Sequence, residues 1–234
     1  MRRPKRSTRS VIRVAILAGY GIPHEDWAPL EIVTTRRAFI WNAAERAIKE
    51  GIPQLIIVTG GKVRDLPAES SYILPLLKRD FEDLARMRQG ETASHPTYLS
   101  EDRSTNTYTH ATQSLELLRE WLAKSWDGED VHVEYYCRPE WICMAKVSFW
   151  FETRRIFNPE ERQHIKVMCV PIHWRDGFQL VSFVYNILLE APYVILSSKH
   201  REELRHAGPD YIPWVQKLLN KRLFRLGDRI RRRT

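Results

Sequence analysis

The chain has 234 residues, 43% of them hydrophobic, 11% aromatic and 28% charged, which excludes wholesale disorder and leaves room for one large domain or two small ones. Three cysteines, Cys137, Cys143 and Cys169, form no CxxC pair and cannot all pair with one another, which argues against a disulfide scaffold or zinc ribbon and for a reducing compartment. The net charge of +8 belongs to the ends: residues 1–13 hold six basic residues and no acid, residues 217–234 hold eight against Asp228, and the body from 14 to 216 keeps 23 basic and 28 acidic residues, a net of −5. The body is not a basic nucleic-acid surface.

Val11 to Leu17 is too short, and too interrupted by Arg13, for the apolar core of a secretory signal, and reads as a first strand followed by a loop with Gly19 and Gly21. Arg36 to Gly51 reads as a helix with Ala43, Ala44 and Ala47 on one side, and Gln54 to Thr59 as a β-branched strand ending in Gly60-Gly61. Together they predict a βαβ unit. Glu69 to Arg88 is a second predicted helix, Pro96 to Leu99 a third strand, and a third helix starts near Thr105 with Leu115, Leu118 and Leu122 at helical spacing. Val131 to Cys137 is a fourth predicted strand, Ile142 to Phe157 a helix, and Ile165 to Val170 a fifth strand stopped by Pro171. Phe178 to Leu196 contains Asn186, Glu190 and Pro192, which argue for a buried helix and against a membrane span. Helices are expected up to Leu226, with a break at Gly208-Pro209.

Strands alternating with helices predict an α/β fold: a Rossmann-like, mostly parallel sheet of about five strands with helices on both faces and a helical C-terminal part. One domain over residues 11–226 is expected, with basic tails at 1–10 and 227–234. In such sheets ligands bind beyond the carboxyl ends of the strands, which selects the loop residues for scrutiny. Ser104, Thr105, Asn106 and Thr107 precede a helix; they serve as caps, as an anion cradle of hydroxyls and free amides, or as both. Gly60-Gly61 is either a plain tight turn or a place where backbone approaches a ligand closely. Glu69 and Glu101 fall at neighbouring strand ends and form the candidate pair for acid–base work or a divalent cation. Arg138 follows the fourth strand, with Glu140 near enough to orient its fork of donors toward phosphate or carboxylate. Neither glycine loop is a Walker P-loop or a GxGxxG fingerprint.

Glu101-Asp-Arg-Ser-Thr-Asn-Thr-Tyr-Thr-His-Ala111 resembles the E-x-x-S-T-N-T-x-x-N-A signature of the YdcF/SanA/ElyC-like family. Ala44 to Gly51, Leu55-Ile-Ile-Val-Thr-Gly-Gly61 and Glu69 are similar to that family's A-x-x-L-Y-x-x-G, I-I-V-S-G-G and S-E-A segments, in the same order. The resemblance covers residues 11 to 190 and implies a polar site on Gly60, Gly61, Glu69, Glu101, Ser104, Thr105, Asn106 and Thr107. It implies S-adenosylmethionine binding or a role in cell-envelope integrity, with no agreed reaction. Three positions depart from the pattern: Ile40 stands where the family opens its first helix with Arg, His110 replaces the Asn of N-A, and Trp141-Ile-Cys-Met-Ala145 lacks the His and Arg of H-x-P-R-A.

The expected function is binding of an anionic or nucleotide-like small ligand, S-adenosylmethionine among those implied, by a cytoplasmic protein acting as a transferase or hydrolase. Glu69 and Glu101 are the expected catalytic residues. Gly19, Gly21, Gly60, Gly61, Ser104, Thr105, Asn106, Thr107 and Arg138 are the expected ligand-binding residues; no metal is assigned. The rival reading is a non-catalytic scaffold whose basic tails contact nucleic acid or anionic membrane.

Overall fold

The computed structural model describes residues 10–18, 41–49, 51–62, 67–89, 95–172, 187–188 and 191–207. Five strands, β1 (Val11–Ala18), β2 (Leu55–Thr59), β3 (Thr97–Glu101), β4 (Asp130–Cys137) and β5 (Ile165–Pro171), form one sheet in the order β3-β2-β1-β4-β5. All four neighbouring pairs are parallel, so each needs a crossover, and helices supply the described ones. These are α1 (residues 41–49), α2 (Glu69–Gln89), α3 (Thr107–Leu122) and α4 (Ile142–Ile156). The expected α/β, Rossmann-like architecture is the one observed.

The two-residue period of the strands divides the core. Val14, Ile16, Leu55, Ile57, Val133 and Tyr135 point to one face, where Ala111, Leu115, Leu118 and Leu122 of α3 and Phe149 and Ile156 of α4 cover them. Ala15, Leu17, Ile56, Val58 and Tyr136 point to the other, under Ala43, Ala44, Ala47 and Ile48 of α1 and Ile73, Leu77 and Phe81 of α2. At the amino end of the sheet Arg13 bonds Glu134 at 2.9 Å and donates to the Gly51 carbonyl, where the carbonyls at the end of α1 lack helical partners.

Some boundaries differ from expectation. β3 runs on through Ser100 and Glu101, which the sequence assigns to a loop. A short helix, α5 (Pro159–Arg162), follows Asn158, whose side chain caps it. In the stretch expected to be a buried helix, the described residues include α6 (Ala191–Leu196), and Leu188, Ile195 and Leu196 are exposed while Ala191 and Val194 are buried. A helix of this length laid on the surface of α4 and α7 buries one stripe, not its whole circumference. Gly19, Gly21 and residues 1–9 and 227–234 of the basic tails lie outside the described residues. Among the described residues no helix is long and apolar enough to cross a membrane.

The chain returns to α3 through α7 (Ser198–Arg205). Leu204 and Val194 pack with Tyr108 of α3 and Met144 of α4. Beside them lies Glu152, fully buried, which accepts from the Tyr108 hydroxyl at 2.6 Å, Arg155 Nε at 2.6 Å and Arg205 Nη2 at 2.8 Å. These donors hold its carboxyl below the ordinary glutamate range although burial opposes them.

Candidate functional site

The loops after β2 and β3 are built on each other. The Gly60 amide donates to the Glu101 carbonyl at 3.0 Å and the Gly61 amide to the Ser104 carbonyl at 2.8 Å. In turn the Ser70 and Glu69 amides donate to Gly60 and Gly61 at 2.9 and 3.2 Å, which sets the start of α2 against the same corner. A Cβ on Gly61 would overlap the Ser104 carbonyl, so glycine is required there by a close approach to a neighbouring loop.

Glu101, 1% exposed, organises this corner. Its Oε1 accepts the Arg103 and Ser104 amides at 2.7 and 2.8 Å, and its Oε2 accepts the Thr59 hydroxyl. Thr59 has one hydroxyl proton and spends it on Glu101, so in the 3.1 Å contact between Thr59 and Ser104 the Ser104 hydroxyl is the donor. Ser104, Thr59 and Glu101 thus form a directed chain that ends on a buried carboxylate.

The next residues close α3. Asn106 is the N-cap: its side chain accepts the Thr109 amide, and Thr109 Oγ1 accepts the Asn106 and Thr105 amides at 2.9 and 2.8 Å. The remaining side-chain donors turn to α7. Thr105 Oγ1 donates to the Ala207 carbonyl at 2.6 Å, and Asn106 Nδ2 to the Leu204 carbonyl at 3.3 Å. Capping and loop closure therefore absorb the amides of residues 103–106 and 109. Those of Thr107 and Tyr108 are the first-turn amides that donate to no described residue.

His110, one turn further along α3, stands within 3.1 Å of the Tyr135 hydroxyl through Nδ1. Burial holds its imidazole below the ordinary histidine range against the pull of the Glu101 charge. Burial also pushes the Cys137 thiol up, and the Cys169 thiol up to about 12, so both are protonated and poor nucleophiles at neutral pH.

Arg138 leaves the end of β4 and lays its fork on Glu140, Nε at 3.1 Å from Oε2 and Nη2 on Oε1. Both side chains are buried, at 4% and 2% exposed, so Glu140 holds the fork inside the protein and not in solvent. Lys146 is exposed on α4. Among the described residues no group of three or more His, Cys, Asp and Glu is placed to hold a metal ion.

Gly60, Gly61, Glu69, Glu101 and Ser104 thus meet at one corner, with Thr105 and Asn106 on its α7 side. Sequence reasoning did not select Thr109, whose spacing from Asn106 is that of a capping box, or the Glu152–Arg205 pair, whose 53-residue separation leaves no local signal. No protein-family model, curated protein or solved structure matches the chain.

Proposed function

We propose that the chain binds a small anionic or nucleotide-like ligand at the carboxyl ends of β2, β3 and β4, as a protein of the YdcF/SanA/ElyC-like kind. The observation that carries this reading is the buried Ser104–Thr59–Glu101 chain. Closing a sheet needs no buried carboxylate, since apolar side chains fill strand ends at less cost in desolvation. The Ser104–Thr59–Glu101 chain lies beyond the carboxyl ends of β2 and β3, one strand away from the boundary between β1 and β4 where the order reverses and where open α/β sheets take their ligands. The amides of Thr107 and Tyr108, the Thr107 hydroxyl and the positive end of α3 supply donors for an anionic group. Arg138, at the end of β4, reaches such a group only by giving up part of its fork on Glu140.

In this reading the role is binding. Glu101 is buried and accepts three hydrogen bonds from the loop, so acid–base work with Glu69, of the transferase or hydrolase kind, would require the corner to open to substrate. The three free thiols suit a reducing, cytoplasmic setting. A second reading, contact of the tails with nucleic acid or anionic membrane, rests on the separation of a basic pair of ends from a body of net −5.

The test is thermal unfolding with S-adenosylmethionine, AMP and inorganic phosphate. A ligand at 100 times its Kd adds about 2.7 kcal/mol, so the melting temperature rises with concentration. Thr107→Val is expected to remove that rise while leaving the unliganded protein folded. A rise that survives Thr107→Val, or none with any of the three compounds, rejects the reading.

A further inference from the structure

We propose that the carboxyl end of α7 is a built-in competitor for this site, latched in place by the Arg205–Glu152 pair. The inference rests on the strand-end reading above. Beside the Thr107 and Tyr108 amides stand two further donors for a ligand, the Thr105 hydroxyl and the Asn106 amide, and these are held by the Ala207 and Leu204 carbonyls at 2.6 and 3.3 Å. Those carbonyls belong to the last turn of α7 and the residues just past it, where a helix carries partial negative charge; the Leu204 carbonyl also accepts the Ala207 amide at 3.4 Å. The negative end of one helix thus meets the loop at the positive end of another, next to the Thr107 and Tyr108 amides.

The contact is built to release. Of the eight residues of α7, only His200 and Leu204 are buried, so little apolar surface resists its undocking. What holds it is chiefly polar: the latch, and Arg201, which lies over the Phe151 ring at 4.1 Å and donates to the Val194 carbonyl at 2.6 Å. Arg205 gives two hydrogen bonds to Glu152, at 3.0 and 2.8 Å, and a third to the Tyr108 hydroxyl at 3.3 Å. Tyr108 follows the loop directly on α3, so latch and loop share one element. A ligand that needs the loop donors binds only the fraction of molecules with α7 released, and its apparent affinity is lowered by that fraction.

The test uses the full chain carrying Arg205→Met, which leaves Glu152 its bonds from Tyr108 and Arg155, and separately Leu204→Ala, which loosens α7 at a different contact. Hydrogen exchange is followed by mass spectrometry, and AMP and inorganic phosphate are titrated by calorimetry. Exchange is expected to rise in residues 198–207 and 103–109 together, and AMP or phosphate to bind on the order of tenfold more tightly, the change worth one charge-assisted hydrogen bond. Arg205→Lys is expected to restore most of the wild-type behaviour. If Arg205→Met does not fold, Leu204→Ala gives the same decision. Exchange that rises in 198–207 alone overturns the proposal, since release would then not reach the loop. Exchange that rises in both segments with weaker binding overturns it as well, because α7 would be building the site. Should the loop open while neither compound binds any form, the strand-end reading fails and the competitor falls with it.

Discussion

At Gly61 the volume that a side chain would occupy belongs to Ser104. A methyl group there must push the 102–104 turn away from β2, and that turn is what presents the Arg103 and Ser104 amides to Glu101. Gly61→Ala is therefore expected to cost about 2 kcal/mol or more in urea unfolding, within the range of overpacked interiors and above that of a surface substitution. Gly128, with φ of 84° and open space around it, is the control: alanine there meets no neighbour and acts through backbone conformation alone. Arg138 belongs to the same scale. Its partner Glu140 is buried, so Arg138→Ala would remove charge compensation from an interior carboxylate as well as any ligand contact, and its effect on binding has to be read beside its effect on folding.

Among the elements, α3 joins most of what matters: capped by Asn106, it carries His110 toward β4 and holds Tyr108 against Glu152. The Glu152 carboxylate has a lowered folded pKa, so the stability it contributes is complete above the ordinary glutamate value of about 4.3 and is lost as pH falls through its lower folded value. Glu152→Gln should accordingly be less stable than wild type at pH 7 and approach it at pH 3, measured by urea unfolding at both. An unchanged gap would mean the carboxylate's charge contributes nothing. Helix α3 was legible because Leu115, Leu118 and Leu122 repeat at helical spacing, a local property. The end of β3 was not. Ser100 and Glu101 read as loop because this strand ends in polar residues, bonded to Ser70 and to Thr59, where pattern expects apolar ones. The short helix after Asn158 carried its own signals, a cap, a proline at its first position and Glu161, but lacked the length that apolar spacing needs to show itself.

For the molecule as a whole, strand, helix and loop succession sufficed for the sheet's class, since parallel strands require crossovers and short apolar runs mark buried strands. The corner between β2 and β3 was legible by residue type, through Gly60-Gly61 and Ser104 to Thr107. Its internal accounting was not, because whether a hydroxyl faces a ligand or another loop is decided by residues as distant as Ala207. Charge is likewise a whole-molecule property. With the body at −5, deletion of residues 1–10 and 229–234 is expected to abolish salt-sensitive retention on heparin or DNA while leaving the melting temperature within a few degrees. Retention by the shortened chain would show a basic surface within the body.

The first strand sits in the middle of the sheet, and this orders events during synthesis. β1 pairs on one side with β2, 41 residues later, and on the other with β4, 119 residues later. Until β4 emerges from the ribosome, a nascent chain of β1, β2 and β3 has an unpaired edge bearing Val14 and Ile16, side chains that end up sealed in the core. Such an edge invites pairing with other chains. Fragments ending before residue 130 are thus expected to be the aggregation-prone products of premature termination, and the segment Asp130–Cys137 is what removes the hazard.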